Sequence, residues 1–171
     1  MKKKPEVAVV MGSESDWPVV RDAARTLEQF GVSCEVRVIS AHRTPESAAE
    51  FGAGAARRGV KVVIAAAGGA AHLAGVLAAH TVLPVIGVPV KGGALNGMDA
   101  LLATVQMPSG VPVATVALGS AGPVNAAVLA AQILALGRPA LARKLARYKR
   151  SLKRKVTADN ARVQAELGRK K

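Results

Sequence analysis

Val7-Ala8-Val9-Val10-Met11, running directly into Gly12-Ser13-Glu14-Ser15-Asp16, reads as a strand followed by a polar turn. Five apolar residues without alternation suit a strand buried on both faces. Such strands belong to parallel sheets sandwiched between helices. The turn puts two serine hydroxyls at the strand's carboxyl end. Asp16 is placed to cap the next helix, with Pro18 in the first turn, where its missing N–H costs nothing. The spacing of Val20, Ala23, Ala24, Leu27 and Phe30 predicts that helix over about Trp17–Phe30, with Gly31 ending it.

The same unit recurs along the chain. Cys34 to Ile39 alternates, as a strand nearer the sheet edge does. Ser40-Ala41-His42-Arg43 follows. Thr44 is then placed as a cap and Pro45 as the start of a helix ending near Arg57-Arg58-Gly59. Lys61 to Ala67 is a third strand, and Gly68-Gly69 turns the chain into a short helix over about Ala71–His80. Pro84 to Val88 is strand four. A glycine-containing loop, Pro89 to Asn96, leads to a helix over about Gly97–Val105. Val111 to Leu118 is strand five, interrupted by Pro112, and an alanine-rich helix ends near Leu136-Gly137. Five strands alternating with helices predict an α/β fold. It is a three-layer, doubly wound, flavodoxin-like parallel sheet in the order 2-1-3-4-5, with an extra C-terminal helix.

That extra helix begins at Arg138. Leu141, Leu145, Tyr148, Leu152 and Val156 form a narrow apolar seam on a basic helix that needs something to pack on. A neighbouring subunit is the preferred partner and the chain's own sheet the alternative. Residues 168–171 are expected to fray. The organisation is thus a flavodoxin-like domain over residues 1–137 and a basic amphipathic helix and tail over 138–171, part of the same domain or packed on a neighbouring subunit. The formal charge of +13 follows this division. Residues 138–171 hold 13 Lys/Arg against 2 Asp/Glu, a net of +11, whereas residues 1–137 hold 11 against 9, a net of +2. A basic helix of this kind is a solvated or subunit-facing element, so no specific nucleic-acid partner is expected. Cys34 is the only cysteine, which excludes an intrachain disulfide and a cysteine metal cluster. The apolar run after the basic N-terminus is too short for a signal segment or a membrane span, and a cytoplasmic protein is expected. Only four residues are aromatic, so small aliphatic side chains must fill the core, and oligomerisation would add burial.

In open α/β sheets ligands bind beyond the carboxyl ends of the strands, where the strand order reverses. For the order 2-1-3-4-5 the turns there are Gly12–Asp16, Ser40–Arg43 and Gly68–His72. The first offers Ser13, Ser15 and helix N-terminal N–H groups, a site suited to a phosphate. It is neither a complete dinucleotide fingerprint nor a P-loop. Asp16 has two readings, helix cap or acceptor from a ribose diol. His42 is the natural proton shuttle, and Arg43 can hold a phosphate through its fork. Gly68 and Gly69 allow close backbone approach, and His72 lines the pocket or caps a helix. His80 is most simply a partner for a helix C-terminus. Dispersed histidines argue against a metal site, and Ser40/His42 lacks an acid orienter for hydrolase chemistry.

Met11-Gly-Ser-Glu-Ser-Asp16, Ser40-Ala-His-Arg-Thr-Pro45, Ala67-Gly-Gly-Ala-Ala-His-Leu73, Gly87-Val-Pro-Val90 and Val105-Gln-Met-Pro108 together closely resemble the class I PurE family. These are the 5-(carboxyamino)imidazole ribonucleotide mutases of de novo purine synthesis. The likeness spans about residues 6–136. Ala74 stands where the family usually has Pro. The resemblance implies that Ser13, Ser15 and Arg43 hold the substrate 5′-phosphate and Asp16 the ribose hydroxyls. His42 is then the general acid/base, and Ser40, Ala41, Ala67, Gly68, Gly69, His72 and Leu73 shape the pocket. It implies no metal or organic cofactor, a ribonucleotide substrate, and a homo-octamer with sites at subunit interfaces. The Gly-Gly-Ala-Ala-His stretch favours the mutase over the alternative, an aminoimidazole ribonucleotide carboxylase using free carbon dioxide. A second alternative is a non-catalytic nucleotide-phosphate-binding module.

Overall fold

The computed structural model describes residues 4–168. Its centre is one five-stranded parallel sheet, β1 (Val7–Met11), β2 (Cys34–Val38), β3 (Val62–Ala67), β4 (Val85–Pro89) and β5 (Ala114–Thr115). The strand order is β2-β1-β3-β4-β5. Every residue of β1 is buried, as its unbroken apolar run requires. β1 pairs in register with β2 on one side (Val9 opposite Val36) and with β3 on the other (Val9 opposite Ile64).

Helices cover both faces. α1 (Trp17–Phe30) and α5 (Ala121–Ala135) pack together over one face, through Val20, Ala23, Leu27, Ala127 and Ala130. α2 (Pro45–Arg58) and α3 (Leu73–Ala79) cover the other, through Ala55, Leu73 and Leu77. α4 (Met98–Val105) lies against β4 and β5. Alanine and glycine let these layers come close. A Cβ on Gly52 would sit 2.9 Å from His80 Cβ, so the contact between α2 and α3 depends on that glycine.

Several boundaries differ from the sequence expectation, each for a local reason. β5 holds two residues rather than eight. Pro112 has no N–H to donate, and an edge strand has only one neighbour to pair with. α3 begins at Leu73, not Ala71, because Gly69 takes a left-handed φ of 61° and the Ala71 and His72 N–H groups close tight turns onto the Gly69 and Ala70 carbonyls. Asp16 and Thr44 hold the N-cap positions of α1 and α2, but their side chains are used differently from the expectation. The Asp16 side chain makes no capping bond; Ser13 instead accepts the Ser15 N–H, opening a 3-10 turn over Glu14–Asp16 ahead of α1. Thr44 takes the N-cap position of α2 as expected, and its carbonyl accepts the Ala48 N–H at 3.1 Å, but its side chain makes no capping bond. Its hydroxyl accepts the Ser40 N–H at 3.1 Å and donates to the Ser40 carbonyl at 3.0 Å, closing the loop that carries His42.

Along its first half α6 (Pro139–Gly168) packs on this chain itself. Leu141, Leu145 and Tyr148 pack on this chain's own α1 and α5 helices, with Tyr148 edge-on to Phe30 at 5.4 Å between centroids. Arg138 pairs with the buried Glu6, and Lys144 Nζ donates to the Phe30 carbonyl at 2.8 Å. From Leu152 onward the seam is exposed. Of the end expected to fray, Gly168 closes α6, and residues 169–171 lie outside the described residues, as do residues 1–3. Among the described residues no helix is long and apolar enough to cross a membrane. Cys34 is half-buried, and burial, with the Glu28 carboxylate adding to it, pushes its thiol pKa up.

Candidate active site

The turns after β1, β2 and β3 open into one cavity of about 510 Å³ at the carboxyl edge of the sheet. It lies where the strand order reverses, because β1 and β3 are neighbours and their crossovers run to opposite faces. All twelve residues singled out in the sequence line it: Ser13, Ser15, Asp16, Ser40, Ala41, His42, Arg43, Ala67, Gly68, Gly69, His72 and Leu73.

In the first turn Ser15 Oγ donates to Ser13 Oγ at 2.9 Å, and the Ser15 N–H approaches the same oxygen at 3.3 Å. Ser13 thus accepts twice and keeps its own proton free to donate, which is what an anion requires. Asp16 is half-buried, and that burial raises its carboxyl pKa; the backbone at Ser13 opposes the rise.

The second turn is braced rather than loose. Ser40 Oγ accepts from the Arg43 backbone N–H at 3.1 Å and from Arg43 Nε at 3.4 Å. The Arg43 guanidinium also donates to the Gly12 carbonyl at 3.2 Å, tying this turn to the first. The Ser40 lone pairs are therefore engaged by Arg43, and its Oγ makes no hydrogen bond to His42, which removes the serine-nucleophile geometry.

The third turn brings His72 to His42. His42 Nε2 lies 2.8 Å from His72 Nδ1, with the rings nearly perpendicular. One nitrogen of this pair donates and the other accepts, so the contact holds a single proton between two imidazoles. Sequence spacing placed both histidines near the cavity but did not pair them. Gly68 is needed for proximity: a Cβ there would be 3.2 Å from the Val90 carbonyl. Gly69 is needed for its positive φ.

The structure adds a fourth wall. Lys91, Gly92 and Gly93, from the loop after β4, also line the cavity. The available signal was a cation followed by two glycines directly after a buried strand. Among the described residues no three metal-ligating side chains cluster.

Fold and cavity together define a doubly wound α/β enzyme with a histidine-bearing crevice at its switch point. Residues 6–155 match the family described as AIR carboxylase. The chain is 56% identical to the N5-carboxyaminoimidazole ribonucleotide mutase of Pyrococcus horikoshii, over 97% of this chain and 92% of that protein. It is 52% identical to the mutase of Mycobacterium tuberculosis, over 98% and 95% of the two chains. Among solved structures it superposes on Treponema denticola PurE with a TM-score of 0.82 at 30% identity, over 92% of this chain and 98% of that one. The chain belongs to the AIR carboxylase family.

Proposed function

We propose that this cavity converts 5-(carboxyamino)imidazole ribonucleotide into 4-carboxy-5-aminoimidazole ribonucleotide, a step of purine biosynthesis. The enzyme is an isomerase, because one carboxyl group leaves nitrogen and returns to carbon within the same molecule. The observation that carries this reading is the meeting of three turns in one cavity, with His42 between a hydroxyl-lined turn and a glycine turn. Relatives at 52% and 56% identity bear the name of this activity.

The roles follow from the chemistry of each wall. Ser13, Ser15 and Arg43 hold the 5′-phosphate, with hydroxyl donors, helix N-terminal N–H groups and a guanidinium. Asp16 accepts from the ribose hydroxyls. His42 donates a proton to the exocyclic nitrogen as the N–C bond breaks and carbon dioxide leaves. Carbon dioxide stays near Gly68-Gly69-Ala70, and ring carbon 4 attacks it. His42 then takes the proton from carbon 4, so the proton account closes and the ring is aromatic again. His72 positions the His42 ring. Ser40, Ala41, Ala67 and Leu73 shape the floor. The steps assigned here are carried by side chains and backbone, with no metal or organic cofactor.

The enzyme works as a homo-oligomer, an octamer on the family resemblance. Val36 and Val38 on β2, Leu102 on α4, and Leu152 and Val156 on α6 are apolar and exposed in the single chain, which supports further burial between copies. The site proposed for its work is the cytoplasm, where charged nucleotides are made. The direct carboxylase is the disfavoured reading. Purified protein should turn over the carboxyamino nucleotide without bicarbonate. Rapid use of aminoimidazole ribonucleotide and carbon dioxide, with the carboxyamino nucleotide untouched, would reverse the assignment.

A further inference from the structure

We infer that Lys91 recognises the migrating carboxylate, and so separates carboxylated from uncarboxylated aminoimidazole nucleotides. The inference rests on the functional reading above. Apart from the histidines, three charged side chains line the cavity: Asp16, Arg43 and Lys91. The substrate carries two anionic groups, a phosphate at one end and a carboxylate at the other. Arg43 stands after β2 and is tied to the first turn through the Gly12 carbonyl. Lys91 stands after β4. Three strand spacings of about 4.8 Å, roughly 14 Å, separate β2 from β4. That span accommodates a nucleotide lying across the crevice with a cation at each end.

The backbone fixes Lys91 beside the reacting centre. Val90 donates its N–H to the Ala67 carbonyl at 2.9 Å, and Gly68 packs directly on the Val90 carbonyl. Lys91 therefore leaves the sheet against the turn that faces carbon dioxide. The lysine stem passes beside the turn after β5, with Lys91 Cε 3.8 Å from where a Cβ on Gly119 would sit, an ordinary van der Waals distance. Lys91 takes part in none of the ion pairs among the described residues. The chemistry also favours lysine here. A carboxyl group that moves from nitrogen to carbon 4 needs a cation that can follow it. A compact ammonium on a flexible stem does so.

The test measures binding of two nucleotides to the full chain, wild type and Lys91→Met. The carboxylated probe is 4-carboxy-5-aminoimidazole ribonucleotide, and the uncarboxylated one is 5-aminoimidazole ribonucleotide. Lys91→Met should weaken the first about three- to tenfold and leave the second within about twofold, as befits one partly solvated charge contact. Lys91→Arg should recover most of the loss. Equal weakening of both probes would assign the cation to the phosphate and overturn the inference; so would unchanged binding of the carboxylated probe. A wild-type chain that binds neither probe would instead overturn the functional reading itself.

Discussion

His42 and His72 share one hydrogen bond at 2.8 Å, and that bond limits what the pair can do. While it holds, one Nδ1 or Nε2 must be bare, so the two rings cannot both be cations. The arrangement suits a group that gives a proton to nitrogen and later takes one from carbon. Asp16 makes a different kind of demand. Burial holds its carboxyl above the ordinary value, so the folded chain keeps this proton to higher pH than the unfolded chain does. Its contribution favours folding at low pH and is lost as pH rises through the folded pKa. Asp16→Asn should therefore leave the melting temperature at neutral pH unchanged or higher, while weakening nucleotide binding. Calorimetry and titration on the same samples measure both. A destabilised variant with intact binding would contradict the role. The sequence left Asp16 between helix cap and ribose acceptor and did not single out Ser13 as a capping side chain, because both residue types cap well. The choice between them is made by the 3-10 turn over Glu14–Asp16.

The strand-to-helix turns are the elements that make the site, and their legibility was uneven. β1 and β3 were plain, because a fully buried strand must be apolar throughout. β5 was overread, because Val-rich sequence around Pro112 looks like a strand, whereas pairing depends on N–H groups and on a neighbour. Gly68 and Gly69 were recognisable as a turn, but their separate duties appear only in three dimensions. Gly69 carries a φ of 61°, and nothing lies within 4 Å of the position a Cβ would take, so Gly69→Ala meets backbone strain and no clash. The variant should fold, lose about 1 kcal/mol of stability, and displace the His72 turn enough to lower kcat. Thermal melts and steady-state kinetics check this. A variant of full stability and full activity would refute the account of this turn. Lys91 was missed because its signal, a cation and two glycines after a buried strand, is weak; the Val90 N–H bond to the Ala67 carbonyl and the packing of Gly68 on Val90 set it beside the cavity.

At the scale of the whole molecule the strand order places the chemistry. Because β1 lies between β2 and β3, three turns far apart in sequence become neighbours at one edge of the sheet. The seam of α6 was legible as a seam, but an apolar stripe does not name its partner. The structure gives its first half to this chain through Leu141 and Tyr148. The exposed second half, from Leu152, fits the proposed assembly of copies. The charge division of the chain has the same origin, since the basic residues sit on a helix outside the sheet. All of this converges on one cavity, and the central claim is that His42 moves the protons there. The most direct measurement compares conversion of 5-(carboxyamino)imidazole ribonucleotide by the wild-type chain and by His42→Asn, with nucleotide binding followed in both. The account predicts that the wild type turns over, and that the variant binds but reacts about 10²- to 10⁴-fold more slowly, the usual contribution of a general acid/base. A His42→Asn variant of undiminished activity would contradict it.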